Sequence, residues 1–241
     1  MLDRGKEAKP LYLQIKEIIK HKITHNEYRV GMTIPSENDL EEMFGVSRMT
    51  IRQAVSELVN EGMLRKERGR GRGTIVLTNA IADNLSTIKS FTQKMNEEGH
   101  ILQNKNVEVQ VMPADENTSS ALALGEGEGV LRLKRTRMVN QDIIMYSISY
   151  LPESLNLPAD PAVYGSLYQQ LDAAGVKVVR AEECIEATLA DDVISSALSV
   201  PPLAAVLKRT RTGYGENGRP LEYTTTYYRS DKYKYIVELT S

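Results

Sequence analysis

Residues 34–74, IPSENDLEEMFGVSRMTIRQAVSELVNEGMLRKERGRGRGT, constrain the fold more than any other stretch of the chain. Ser36 stands where it can cap a helix whose third position is Asp39, an approximation of a capping box, and Leu40, Met43 and Phe44 give that helix an apolar face. Gly45 ends it, and Ser47 is placed to cap a second helix. In the second helix Ile51, Val55, Leu58 and Val59 recur at i, i+4, i+7 and i+8, a buried stripe. Arg48, Met49, Thr50, Arg52 and Gln53 fall mainly off the stripe, at the amino-terminal end. After Gly62, Met63–Glu67 and Thr74–Leu77 read as two strands of a hairpin whose tip is Arg68-Gly69-Arg70-Gly71-Arg72-Gly73. Glycine lets backbone come close to a groove, and arginine suits the negative potential of a narrow minor groove. Helix, helix, hairpin and basic tip form a winged helix-turn-helix. In that arrangement the start of the second helix presents base-reading side chains in the major groove, where arginine bonds guanine through two donors.

Before this segment, Leu11, Ile15, Ile18, Ile19 and Ile23 trace one face of a further helix, with Pro10 near its start. The unit is complete by about Leu77, which gives a DNA-binding domain over 1–78 and a linker over 79–86. Beyond it, helices are expected at Ile88–Glu98, Asn117–Leu124, Gly165–Ala174 and Val193–Leu198. Strands are expected at Lys105–Met112, Val130–Val139, Ile143–Leu151, Lys177–Ala190, Leu203–Tyr214 and Pro220–Tyr228, with a strong turn at Glu216-Asn217-Gly218. Mostly antiparallel strands with interspersed helices make 87–241 an α+β domain.

Charge supports the division. The net charge of −2 is unusual for a chain that holds DNA, but residues 1–78 carry 14 Lys+Arg against 11 Asp+Glu, and 79–241 carry 16 against 21. The halves are +3 and −5, a basic part joined to an acidic part with another task. With 241 residues the chain has room for two modest domains. It shows neither a signal-peptide pattern nor a long apolar run, so a cytoplasmic location is expected. The lone Cys184 excludes an internal disulfide framework and is expected to pack. His21, His25 and His100 form no metal-ligand pattern, and no metal or cofactor is expected.

In the second domain Arg135 and Arg137 lie two apart on one strand and so on one face, a forked pair suited to phosphate or carboxylate. Arg132 and Lys134 take the opposite face.

The pattern P-S-E-x-x-L-x-x-x-F-G-V-S-R-M-T-I-R-Q-A-V-x-x-L-x-x-E-G across Pro35–Gly62 resembles the DNA-binding domain of the GntR family of bacterial repressors. The remainder, from about Asn84 to Ser241, resembles the UTRA effector-binding domain of the HutC branch, a chorismate-lyase-like fold. That resemblance rests on S-F-T-x-x-M-x-x-x-G at Ser90–Gly99, L-x-R-x-R at Leu133–Arg137 and S-Y-L-P at Ser149–Pro152. It continues in S-L-Y at Ser166–Tyr168 and P-L-E-Y-x-x-x-x-Y-R-x-D-x-Y at Pro220–Tyr233.

The resemblance implies a homodimeric regulator that binds double-stranded operator DNA and is released by a small effector. It implies DNA contacts from Ser36, Glu37, Arg48, Thr50, Arg52, Gln53 and the wing residues Gly69, Arg70, Gly71, Arg72 and Gly73. In relatives that respond to amino-sugar phosphates, the phosphate is held by residues matching Ser90, Arg135, Arg137, Ser166 and Tyr168, and the sugar by residues matching Glu222 and Tyr228. The chain departs from its relatives at Asn38, where many carry Arg, in an extra Arg-Gly pair of the wing, and at Ser147, where a Glu is common. A sugar phosphate is therefore the expected effector, with Ser147 at the altered end of the site. The alternatives are a non-phosphorylated acid or sugar, or a lyase-like enzyme, for which the sequence shows no positioned nucleophile or catalytic dyad.

Two substitutions separate reading from holding. Arg52→Ala is expected to abolish specific operator binding, with about 1–3 kcal/mol or more lost per half-site. Arg70→Ala is expected to weaken binding evenly across sequences and to flatten its salt dependence. Titrations of both variants on operator and unrelated DNA at several salt concentrations check the assignment, which is reversed if Arg52→Ala loses both kinds of binding equally.

Overall fold

The computed structural model describes residues 2–5, 8–67, 73–84, 90–97, 100–125 and 127–237, with the side chains of 82–84 excepted. The chain divides into two compact units, Met1–Ala82 and Asp83–Ser241.

In the first unit, helices α1 (Leu11–Thr24), α2 (Glu37–Phe44) and α3 (Arg48–Asn60) precede a hairpin of β1 (Leu64–Lys66) and β2 (Thr74–Val76). Each helix end has a local cause. Ser36 and Asp39 complete a reciprocal capping box at α2: Ser36 Oγ accepts from the Asp39 amide at 3.2 Å, and the Ser36 amide donates to Asp39 Oδ2 at 3.0 Å. Gly45 stops α2 in the left-handed region, at φ 59°, a conformation that costs a β-carbon-bearing residue more. Ser47 caps α3. The apolar stripe read from the sequence is buried as expected: Ile51, Val55 and Leu58 join Ile15, Ile19, Ile23, Leu40, Met63 and Val76 in one core. Ile34 is tied to the hairpin by its amide bond to the Thr74 carbonyl, and Thr33 bridges to Ile75.

The second unit is built on a six-stranded antiparallel sheet with strand order β4-β5-β6-β9-β8-β7. The strands are β4 (Leu102–Pro113), β5 (Gly129–Val139), β6 (Asp142–Pro152), β7 (Arg180–Leu189), β8 (Ala205–Tyr214) and β9 (Pro220–Arg229). A separate two-stranded ribbon pairs β3 (Ile81–Asn84) with β10 (Tyr233–Ile236). Neither strand of that ribbon was expected from the sequence; residues 81–84 had been read as linker, and so short a strand has too few positions to show a period.

The hairpins follow turn chemistry. Asn140 and Gln141 both adopt positive φ between β5 and β6, and Gly218 does so between β8 and β9. Helix α4 (Phe91–Glu97) is shorter than the Ile88–Glu98 span expected, part of which lies outside the described residues. Helices α5 (Glu116–Leu122) and α7 (Asp192–Leu198) are capped by Asp115 and Asp191, and α6 (Leu167–Ala173) by Ser166.

Strand alternation sorts the sheet into two faces. One carries Leu131, Leu133 and Leu151 against α6 through Leu167 and Leu171. The other carries Ile143, Tyr146 and Val206 against α7 through Ile194 and Leu198. Cys184, expected to pack, is exposed on the edge strand β7, because alternation turns its neighbour Glu183 to the inner face instead. Among the described residues no helix is long and apolar enough to cross a membrane.

The core of the first unit holds α3 in place through Ile51, which is fully buried. Ile51→Ala is expected to lower the stability of that unit by about 2–5 kcal/mol, the usual cost of a cavity in a close-packed core. Urea unfolding of the intact protein measures it. A loss below about 1 kcal/mol would mean that the stripe does not anchor α3.

Candidate DNA-reading surface and effector cavity

In the first unit the exposed start of α3 presents Arg48 and Arg52, whose side chains are 63% and 57% accessible. Glu37, at the first turn of α2, lies 3.7 Å from Arg48, 4.0 Å from Arg52 and 2.9 Å from Lys66 on β1. Partial burial works against the charged form of Glu37, but the Lys66 hydrogen bond and the two arginine charges outweigh it and hold the carboxyl below its usual range. One carboxylate thus gathers three cations from two elements, α3 and β1, while leaving the arginine heads in water. Gln53 is exposed beside Arg52. Thr50 is half-buried and its hydroxyl bonds Ser47 Oγ at 2.9 Å, so it is partly engaged in the cap. Ser36 is engaged likewise with Asp39, its Oγ at 2.7 Å from Oδ2. Gly73 is exposed at the base of the hairpin. Gly69, Arg70, Gly71 and Arg72 lie outside the described residues. Lys66 was not singled out from the sequence; only the tertiary fold, with both α2 and β1 packed on α3, brings it to Glu37.

In the second unit a cavity with about 410 Å³ of empty space, its mouth included, opens on the α6 face of the sheet. Ser90, Arg135, Arg137, Ser147, Ser166, Tyr168 and Glu222, separate in sequence, all line it. Tyr228 does not: it is fully buried, stacked on Tyr233 at 4.2 Å between ring centroids, with the Arg209 guanidinium 5.4 Å from its own. Ser90 and Ser166 cap α4 and α6, accepting from the Gln93 and Gln169 amides.

Arg135 and Arg137 project from β5 and are 6% and 2% exposed. Arg137 Nη2 donates to Thr92 Oγ1 at 2.7 Å and to the Gly165 carbonyl at 3.0 Å. Arg135 has a single long bond of 3.5 Å, to the Tyr164 carbonyl. Neither Nε atom has a partner among the described residues. Burial pushes Arg135 down to about 10, opposed mainly by the charge of Glu222. Burial pushes Arg137 down to about 9, and the neighbouring Arg135 charge adds to the effect. Guanidinium does not lose its proton in this setting, so both shifts measure the cost of burying the charge, to which repulsion from Arg135 adds at Arg137.

The floor and far wall hold residues that the sequence did not single out: Thr92, Ser149, Thr224, Thr226, Arg209 and Arg211. Arg211 Nη1 donates to the Tyr168 hydroxyl at 2.9 Å, and Tyr168 donates to Glu222 Oε2 at 3.0 Å. Thr224 donates to the other Glu222 oxygen at 2.6 Å. Burial, helped by the Glu222 charge, pushes the Tyr168 phenol up, so it stays a neutral donor. Arg209-x-Arg211 repeats the spacing of Arg135-x-Arg137. That repeat was visible in the sequence, but only the sheet order turns both pairs toward one cavity. Among the described residues no group of three or more His, Cys, Asp or Glu could hold a metal.

Residues 11–76 match the model for bacterial regulatory proteins of the gntR family, and residues 97–234 match that for the UTRA domain. The chain is 31% identical over 229 residues to the HTH-type transcriptional repressor NagR of Bacillus subtilis, covering 94% of this chain and 93% of that one. It is 29% identical over 232 residues to the mannosyl-D-glycerate transport/metabolism system repressor MngR of Escherichia coli, covering 95% of each. Its fold is similar to that of PhnF from Mycobacterium smegmatis, with a TM-score of 0.73 over 96% of this chain and 100% of that one at 22% identity. The chain therefore belongs to the gntR family of bacterial regulatory proteins with a UTRA domain, a DNA-binding transcription regulator, not an enzyme, whose partners are operator DNA and a small-molecule effector.

Proposed function

We propose that the protein is a cytoplasmic, homodimeric repressor released from its operator by a phosphorylated sugar. The observation that carries the effector is the pair of buried guanidiniums, Arg135 and Arg137, whose Nε atoms have no partner among the described residues and whose side chains line a cavity with Ser90, Ser166 and Tyr168. A phosphate monoester brings three acceptor oxygens and about −1.5 to −2 charges at neutral pH, which matches a set of donors burdened by like-charge repulsion. Polar Ser147, Thr226 and Glu222 continue the lining and suit sugar hydroxyls. The repressor names of the Bacillus subtilis and Escherichia coli relatives, the latter for a sugar-derived compound, support the sign of regulation and the ligand class.

Arg48 and Arg52 read bases, Thr50 and Gln53 contribute at the same groove, Ser36 and the wing hold the backbone, and Glu37 acts at the DNA surface by positioning the two arginines. A single winged helix covers one half-site, so a two-fold dimer on a palindromic operator supplies the affinity. Release is linkage: the effector favours a dimer arrangement in which the two recognition helices no longer match the half-site spacing.

Arg135→Ala is expected to retain operator binding and lose the response to the effector. A phosphorylated sugar is expected to bind far more tightly than its free sugar, because charge-assisted bonds outweigh neutral ones. Calorimetry with matched phosphorylated and free sugars, and operator release by the Arg135→Ala protein, decide it; equal affinities or an unchanged response overturn the phosphate reading.

Truncation after about Asn79 is expected to leave a folded module that binds a full operator weakly, since dimer support is lost. Binding as tight as that of the intact chain would show that the second domain is not the dimerising unit.

A further inference from the structure

The cavity wall opposite Arg135 carries a second, unassigned set of donors. Arg135 on β5 stands in register with Ser147 on β6, Ser147 with Thr226 on β9, and Thr226 with Arg209 on β8. This is one row across four strands, about 14 Å between its end Cα atoms at the usual strand spacing, closed at each end by a long arginine. All four side chains line the cavity. Each also has a buried polar atom without a hydrogen-bond partner among the described residues: Arg135 Nε, Ser147 Oγ, Thr226 Oγ1 and Arg209 Nε. Buried polar groups are ordinarily satisfied, so four in one row point to a ligand laid along it.

The charges divide between the two ends. At the β5 end Arg135 and Arg137 face the single carboxylate of Glu222. At the β8 end Arg209 and Arg211 share one oxygen of Glu183, at 3.5 Å and 2.5 Å respectively. Arg211 holds the shorter bond and a further one to Tyr168, while the Arg209 side chain, only 12% exposed, keeps an Nε without a partner among the described residues and lies with its guanidinium 5.4 Å from the Tyr228 ring. Each end is left with an excess of one buried positive charge. A ligand with phosphate at one end and only neutral hydroxyls at the other would leave the Arg209 end uncompensated.

Building on the phosphate reading of the β5 end, we propose that the effector is a phosphorylated sugar acid, with its phosphate on Arg135 and Arg137, its hydroxyls on Ser147 and Thr226, and its carboxylate on Arg209. The residual single charge at the β8 end matches a carboxylate, and the two free hydroxyls between the arginines match a polyol chain.

Calorimetry on the full chain with 6-phosphogluconate, glucose 6-phosphate, glucose 1,6-bisphosphate and gluconate tests this. The wild-type protein is expected to bind 6-phosphogluconate at least about tenfold more tightly than glucose 6-phosphate. Arg209→Met is expected to bring that ratio close to one, and Arg209→Lys to restore part of it. Equal wild-type affinities for the two monophosphates overturn the proposal, as does an Arg209→Met variant that weakens every probe by the same factor. Tightest binding of the bisphosphate overturns the carboxylate assignment. If glucose 6-phosphate binds but the acid gives no advantage, only this inference fails; if gluconate binds and the phosphorylated probes do not, the phosphate reading fails with it. Should Arg209→Met not fold, the wild-type ratio alone decides.

Discussion

Four guanidiniums turned toward one cavity set the terms for the second domain. Arg135, Arg137, Arg209 and Arg211 all project from the same face of the antiparallel sheet, where water is largely excluded. Charges in such a place persist only if they are paired or hydrogen-bonded, and the surrounding polar groups follow from that requirement. Glu222 and Glu183 compensate part of the charge, Tyr168 bridges Arg211 to Glu222, and the carbonyls of Tyr164 and Gly165 accept from the β5 pair. The compensation is incomplete among the described residues: the Nε atoms of Arg135, Arg137 and Arg209 have no hydrogen-bond partner there.

Satisfied and unsatisfied groups divide by position. Thr224 and Ser149 bond each other at 2.8 Å, and Thr224 also bonds Glu222, so that cross-strand row is internally closed. One row along, Ser147 and Thr226 have no such partner. Among the described residues, two adjacent rows of the same two central strands thus differ, one hydrogen-bonded across the strands and the other not. The two helix caps Ser90 and Ser166 join wall to helix, so occupation of the β5 end bears directly on α4 and α6.

In the first unit the same economy appears with one carboxylate. Glu37 holds Lys66, Arg48 and Arg52 near one another without burying their heads, which limits the conformational freedom that would otherwise be lost on meeting DNA. Exposed pairs of this kind add little to stability. Their effect is geometric, since the two donors of a guanidinium act together only where its plane points the right way.

The sequence by itself determined the first unit almost completely. Its capping box at Ser36, stop at Gly45 and stripe from Ile51 to Leu58 are local patterns with local causes, and helices are governed by neighbours three and four residues away. It also determined that Arg135 and Arg137 share a face, because strand alternation is local too. It did not determine that Arg209 and Arg211 meet them. That depends on β9 entering the sheet between β6 and β8, a pairing between residues about eighty positions apart in the chain. For the same reason Tyr228, a plausible sugar contact by position, is packed against Tyr233 below the cavity, and Cys184 faces outward while Glu183 faces in. Local periodicity assigns a side chain to one of two faces; only the order and register of the strands decide what that face is turned toward.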